Sequence, residues 1–89
     1  MFIELQTTAF NRTIKCNKGT TFQLTGVLGA GEVIAFEQPN GDGGWIQMVV
    51  DGDNVEISQT NTIVSFHQPA LIRVSKPITV AACGVMVVS

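Results

Sequence analysis

The sequence predicts an all-β protein: a single small β-sandwich (jelly-roll or Ig-like) or a barrel, of about eight antiparallel strands. Three observations carry this expectation. Short runs in which apolar and polar residues alternate recur along the chain, and a period of two is what a half-buried strand requires. Turn dipeptides such as Asn40-Gly41, Asp42-Gly43 and Asp51-Gly52 punctuate the runs, and their residues tolerate the positive φ of tight hairpin loops. No stretch keeps the 3.6-residue period of an amphipathic helix.

In chain order, Phe2 to Leu5 is a short apolar segment. It reads as a first edge strand or, with the rest of residues 1–10, as an arm lying on a partner. Between Arg12 and Cys16, Ile14 and Cys16 share one face and Thr13 and Lys15 the other. Asn17-Lys18-Gly19 is a turn. Thr20 to Leu28 follows, with Phe22 and Leu24 together and Gln23 and Thr25 opposite. Its threonine and aromatic content favours a strand over a helix. Gly26, Gly29 and Gly31 then break the chain before its organising stretch, Glu32 to Asn54.

In that stretch, Val33 to Phe36 and Trp45 to Val50 read as two strands joined by a glycine-rich loop, and Asp51-Gly52 marks the next reversal. Ile34 and Phe36 share a face, as do Ile46, Met48 and Val50. The opposite faces carry Val33 and Ala35, and Trp45 and Val49. A pair that is apolar on both faces is covered twice or presents one side to a partner. Val55 and Ile57 alternate with Asn54, Glu56 and Ser58 before a turn at Gln59 to Asn61. Thr62 to His67 is a strand with Val64 and Phe66 on one face. Pro69 opens another, with Ala70, Ile72 and Val74 on one side and Leu71, Arg73 and Ser75 on the other. Pro77 closes it, because proline cannot donate to a ladder. Gly84 precedes a last apolar strand, Val85 to Val88.

Composition bounds the function. Residues 1–89 hold one domain, and area scaling at 9.5 kDa has folding bury only roughly 63% of the unfolded surface. The chain is 45% hydrophobic and 13% charged, against about 25% charged in typical domains. It has little charge with which to cover its surface, which points to burial against a partner. Net charge is −2, with Arg12, Lys15, Lys18, Arg73 and Lys76 offset by seven acidic residues. That balance argues against nucleic acid, whose partners are clearly basic. No apolar run is long enough for a bilayer, and MFIELQTT lacks the basic and apolar regions of a signal peptide. No membrane partner is expected. Without export, Cys16 and Cys83 are expected as reduced, buried hydrophobes, although neighbouring strands could still pair them.

Chemistry is thinly supplied. His67 is the sole histidine, with no company for a metal. Asp42, Asp51 and Asp53 lie in turns without the spacing of a calcium loop, and aspartate in Asp-Gly turns is ordinary hairpin chemistry. A serine nucleophile would need a base and an orienting acid. Glu32, Glu37 or Glu56 could furnish a carboxylate pair for glycoside chemistry, but they also fit as charges bordering strands. No catalytic, metal or cofactor site is expected. Arg73 and Lys76, in LIRVSKP, read as a solvated basic edge that blunts sheet pairing, or as one side of an inter-subunit salt bridge.

From the Glu32 strand onward the chain resembles small phage virion proteins that decorate or cement capsids. The resemblance runs through Asn40-Gly41-Asp42-Gly43-Gly44-Trp45, Asp51-Gly52, Thr60-Asn61, Pro69-Ala70-Leu71-Ile72-Arg73-Val74, Lys76-Pro77 and Gly84-Val85. It covers roughly the last two-thirds of the chain and departs from the family at Ala70 and Ile72, where a glycine and an aromatic residue are more usual. It implies a non-enzymatic β-sandwich that binds the outer surface of the phage shell through the major capsid protein. The expected location is therefore the capsid surface of a virion assembled in the host cytoplasm. The alternative is a phage tail or fibre component, or a glycan-binding adhesin module. A homo-oligomer is expected because the surplus apolar faces need cover; threefold sites in the resembling proteins favour a trimer, with a dimer open. The candidate interface is Phe2, Ile3, Val33, Trp45, Val49, Leu71 and Arg73.

Overall fold

The computed structural model describes residues 2–88, with side chains from Leu5 onward. These residues form eleven strands: β1 (Phe2–Gln6), β2 (Phe10–Cys16), β3 (Thr20–Gly26), β4 (Ile34–Pro39), β5 (Trp45–Gln47), β6 (Val49–Val50), β7 (Asp53–Asn54), β8 (Glu56–Ile57), β9 (Ile63–Phe66), β10 (Ala70–Lys76) and β11 (Cys83–Val88). Among the described residues no helix forms. One sheet has the order β1-β11-β3-β9 and the other β2-β10-β4-β5, with β8 also pairing β4. Strands β5 and β8 lie in line along a single edge of β4, two halves of one strand interrupted by the β6–β7 hairpin, so among the described residues the two facing sheets count as eight strands. Most successive strands alternate between the sheets, the double-sheet order of a jelly roll.

The alternation read from the sequence becomes the sandwich core. Phe22 of one sheet meets Phe36 of the other edge-on, with ring centroids 5.0 Å apart, and Phe66 lies 5.7 Å from Phe22. Ile34, Ile57, Ile72, Val74, Val85 and Val87 fill the space around the rings. The accessible surface is 5208 Å², close to the ~5,050 Å² that size scaling gives a compact monomer of this mass.

Four sequence expectations are corrected. The Thr20–Leu28 strand ends at Gly26, whose φ is +82° and where a Cβ would lie 2.3 Å from the Ala82 carbonyl oxygen. Leu28 lies beyond it in a loop, yet is buried and plugs the end of the sandwich. Val33 falls just outside β4. The expected Trp45–Val50 strand breaks at Met48. The expected inner face of that strand is also incomplete: Ile46 pairs with Gln38 beyond the core, and Val50 leaves the sheet with β6, so both are exposed.

The break has a specific construction. Backbone hydrogen bonds run in a closed cycle, Met48 N to Phe36 O, Phe36 N to Val55 O, and Val55 N to Met48 O, at 2.9–3.1 Å. The Gln47 side-chain amide nitrogen lies 3.0 Å from all three carbonyl oxygens, its two N–H donors shared among them. From this junction the β6–β7 hairpin stands clear of both sheets, paired only with itself. Its two-residue turn is Asp51-Gly52 with φ of +54° and +84°, the doubly positive conformation favoured in tight hairpins. The Asn40–Gly44 loop closes instead around the Asn40 carboxamide, whose oxygen accepts from Asp42 N and Gly44 N.

Candidate interaction surfaces

The outer face of the β2-β10-β4-β5 sheet carries one of the predicted clusters. Register places Arg73 opposite Glu37, Glu37 opposite Gln47, and Trp45 opposite Pro39. Directly opposed residues share a face, so the side chains meet. Arg73 Nε donates to Glu37 Oε1 at 2.8 Å, and the guanidinium lies 5.2 Å from the Trp45 ring centroid. Arg73 is thus engaged within its own chain. Strand β10 lies between β2 and β4, which overturns the reading of LIRVSKP as a basic edge. Lys76 points inward with Ile72 and Val74. It is only 2% exposed, and its ammonium donates to the Thr8 and Pro77 carbonyl oxygens at 2.9 and 3.0 Å. Periodicity could have found it: position 76 continues the inward parity of 72 and 74.

At one end of the sandwich lie the β2–β3 turn, the Asn40–Gly44 loop, the β9–β10 loop and the projecting hairpin. Gly19 N donates to Phe66 O there. An open groove of about 500 Å³ is lined by Met48, Val50, Val55, Phe66, His67 and Pro69, among others. A second, of about 430 Å³, is lined by Lys15, Pro69, Ala70 and Leu71. The two share Pro69 and Ala70. The predicted interface residues Val49 and Leu71 are both about half exposed, Val49 on the hairpin and Leu71 in the second groove.

The opposite end is built from loops. Glu32 latches two of them: its Oε1 accepts from Gly29 N at 2.7 Å and its Oε2 from Val80 N at 3.0 Å. Thr79 N donates to Thr7 O, and Thr79 Oγ1 to Ala81 O. Between these ties Ile78 and Val80 turn outward, 78% and 92% exposed; Val27 and Leu5 are exposed too, and Leu5 lies against Gly26 beside Ala82. Sequence reasoning missed these residues because loops carry no periodicity. The available signal was an apolar segment, Ile78 to Ala82, between a proline and a strand.

Of the other predicted residues, Val33 is half-buried, and the Phe2 and Ile3 side chains lie outside the described residues. Among the carboxylates weighed for chemistry, Glu32 is occupied by backbone amides and Glu37 by Arg73. Among the described residues no three His, Cys, Asp or Glu side chains converge on a point that could hold a metal. Cys16 and Cys83 are free and buried. Cys16 opposes Ala70 at the start of β10, whereas Cys83 lies by Thr79 past its other end. Seven strand residues separate those levels, about 20 Å at the rise of a β-strand, so the open possibility of a disulfide is closed. Burial pushes the Cys16 thiol above its ordinary value. Comparison with protein-family models, curated proteins and solved structures finds no match.

Proposed function

We propose that this chain is a non-enzymatic structural protein of a phage virion that binds the outer surface of the assembled capsid as a homo-oligomer and stabilises it. The observation that carries the reading is the latched loop end. Ile78, Val80 and Val27 present apolar side chains on loops, with Ile78 and Val80 on the segment held by Glu32 and Thr79, and Leu5 is exposed near the end of β1. A surface fixed before contact loses little conformational entropy on binding, as a protein that clamps a repeating shell requires. The groups that could have served chemistry act instead as structural ties: Glu32 on backbone amides, Glu37 on Arg73, Lys76 on carbonyl oxygens. The resemblance of the Glu32–Val85 stretch supplies the identity of the partner, the major capsid protein.

A second reading, a glycan-binding module of a tail or fibre, is favoured by one observation. Trp45 sits half-exposed on the outer face with Arg73 and Glu37 beside it, and aromatic faces pack against sugars. The test is sedimentation with purified shells lacking this protein. Wild type is expected to co-sediment at a fixed ratio to the capsid subunit, and Val80→Asp with Ile78→Asp to abolish co-sedimentation while keeping the native circular dichroism. Binding to a glycan array that is lost with Trp45→Ala, without binding to shells, selects the second reading.

A further inference from the structure

We propose that the β6–β7 hairpin of one copy seats in the Lys15–Leu71 groove of a second copy, reciprocally, about a twofold axis. The inference deepens the homo-oligomer of the reading above and rests on that part of it alone. Four observations converge on this contact.

The hairpin has no strand partner in its own chain beyond itself. All of its residues from Val49 to Asn54 are exposed, with Val49 at 55% and Val50 at 56%. Adjacent strand residues face opposite ways, so each face of a ribbon that pairs only with itself carries one exposed valine, Val50 bordering its own chain's Phe66–Ala70 groove and Val49 turned the other way. The arm is also pre-set. The cycle of Phe36, Met48 and Val55, filled by the Gln47 amide, fixes its root, and the Asp51-Gly52 turn fixes its tip.

Charge selects the occupant. The tip carries Asp51 and Asp53, and the receiving groove carries Lys15, with Lys18 in the turn at the same end. Among the described residues, none of these four has an ion-pair partner within its own chain. The groove floor of Pro69, Ala70 and Leu71 is apolar, with Leu71 half exposed. An arm that offers Val49 and an acidic tip therefore meets an apolar floor bordered by Lys15. The chain carries both halves of a complementary pair.

Placement gives the symmetry. Val50 lines the groove that shares Pro69 and Ala70 with the Lys15 groove, so arm and receptor are neighbours on one surface. A patch holding both halves side by side is complementary to itself under a twofold rotation, the arrangement of an isologous interface. Two arms are then exchanged and both sets of charges are paired.

The test is native mass spectrometry and sedimentation equilibrium of the full chain at micromolar concentration and low salt. Wild type is expected as a dimer whose dissociation constant rises with added salt, because exposed charges are screened. Asp53→Lys with Asp51→Asn is expected to weaken the dimer at least tenfold. Asparagine is chosen at position 51 because φ there is +54°, which it tolerates. Lys15→Glu with Lys18→Glu is expected to do the same. An equimolar mixture of the two variants is expected to form a heterodimer, since one contact then has its charges restored in reversed sense. Circular dichroism and melting temperature of each variant establish that it folds. A monomeric wild type overturns the proposal, as does any oligomer indifferent to both reversals. Shell co-sedimentation of the variants separates this failure from that of the capsid reading, because Ile78 and Val80 lie at the other end.

Discussion

The Gln47 amide nitrogen lies 3.0 Å from the Phe36 carbonyl oxygen, which also accepts a backbone hydrogen bond from Met48 N. The same nitrogen is equally close to the Met48 and Val55 carbonyl oxygens. Each carbonyl spends one lone pair on the backbone cycle and offers the other to Gln47. An edge strand that breaks would otherwise leave carbonyl dipoles facing one another. The carboxamide turns this break into the fixed root of the projecting hairpin.

Gln47→Ala is therefore expected to cost about 0.5–1.5 kcal/mol, the net worth of a hydrogen bond whose acceptors keep their backbone donors. In a domain of this size each kcal/mol lowers the melting temperature by roughly 4–8 °C. Gln47→Glu is expected to cost more at neutral pH, because a carboxylate faces three carbonyl oxygens with no proton to give. Hydrogen exchange gives the local readout: the Met48 and Val55 amides are expected to lose protection before those of β10. Unchanged exchange at those two amides would show that the backbone cycle holds without its filler.

Gly26 is the second position where one atom decides. Strand β3 ends there because the chain passes against Ala82 and Cys83, and φ is +82°. Gly26→Ala adds a Cβ against a backbone carbonyl, which cannot swing aside as a side chain can. It also forces an L-residue into left-handed backbone, worth about 1–2 kcal/mol by itself. A loss of more than ~2 kcal/mol in urea unfolding is expected. Gly19→Ala is the control: φ is similarly positive at +88°, but nothing lies within 4 Å, so only the backbone term remains.

How much of this was legible follows from what produces each feature. The sandwich was legible because strand alternation is a local code: Phe22, Phe36, Ile72 and Val74 are buried where their parity puts them. The Asp51-Gly52 turn was legible because φ above zero selects those residues. The break at Met48 was not, since it depends on three backbone segments meeting and on a glutamine no pattern distinguishes from a surface one. The pairing of Arg73 with Glu37 needed the β10–β4 register, a non-local fact. Ile78 and Val80 escaped notice for the opposite reason: their loop has no period, and its exposure follows from ties made by Glu32 and Thr79 at distant positions.

Cys16 gives a pH dependence of definite sign. It is fully buried, and desolvation raises its pKa, because the thiolate loses water that the core does not replace. The unfolded chain releases this proton near the free-thiol value of about 8.5, whereas the native state retains it. Above that pH the unfolded state binds fewer protons than the native one, so stability falls as pH rises. A decline in urea midpoint on the alkaline side is expected, and it is expected to flatten in Cys16→Ala. In native protein Cys16 is expected to resist iodoacetamide and to react fully once urea exposes it. Rapid native alkylation at this cysteine would contradict the burial.

Trp45 is the last case, and its place on the sheet sets the magnitude. A core tryptophan truncated to alanine costs ~3–5 kcal/mol through lost burial and the cavity left behind. Here the indole is half-buried on the outer face of the sheet, and its neighbour is the Arg73 guanidinium rather than the Phe22 cluster. No core cavity opens when it is removed. What is lost is partial apolar burial and a cation–π contact of about 0.5–1 kcal/mol at an exposed site. Trp45→Ala is thus expected to cost only ~1–2 kcal/mol and to leave a folded protein. The guanidinium then keeps Glu37 but loses its lid, so a double-mutant cycle of Trp45→Ala and Arg73→Ala in urea unfolding should give a coupling of about 0.5–1 kcal/mol. Trp45→Phe, which keeps a weaker ring face, is expected to retain part of that coupling. Additivity of the two alanine substitutions would show that the indole and the guanidinium touch without interacting, and a loss above ~3 kcal/mol for Trp45→Ala alone would mean that the core depends on it after all.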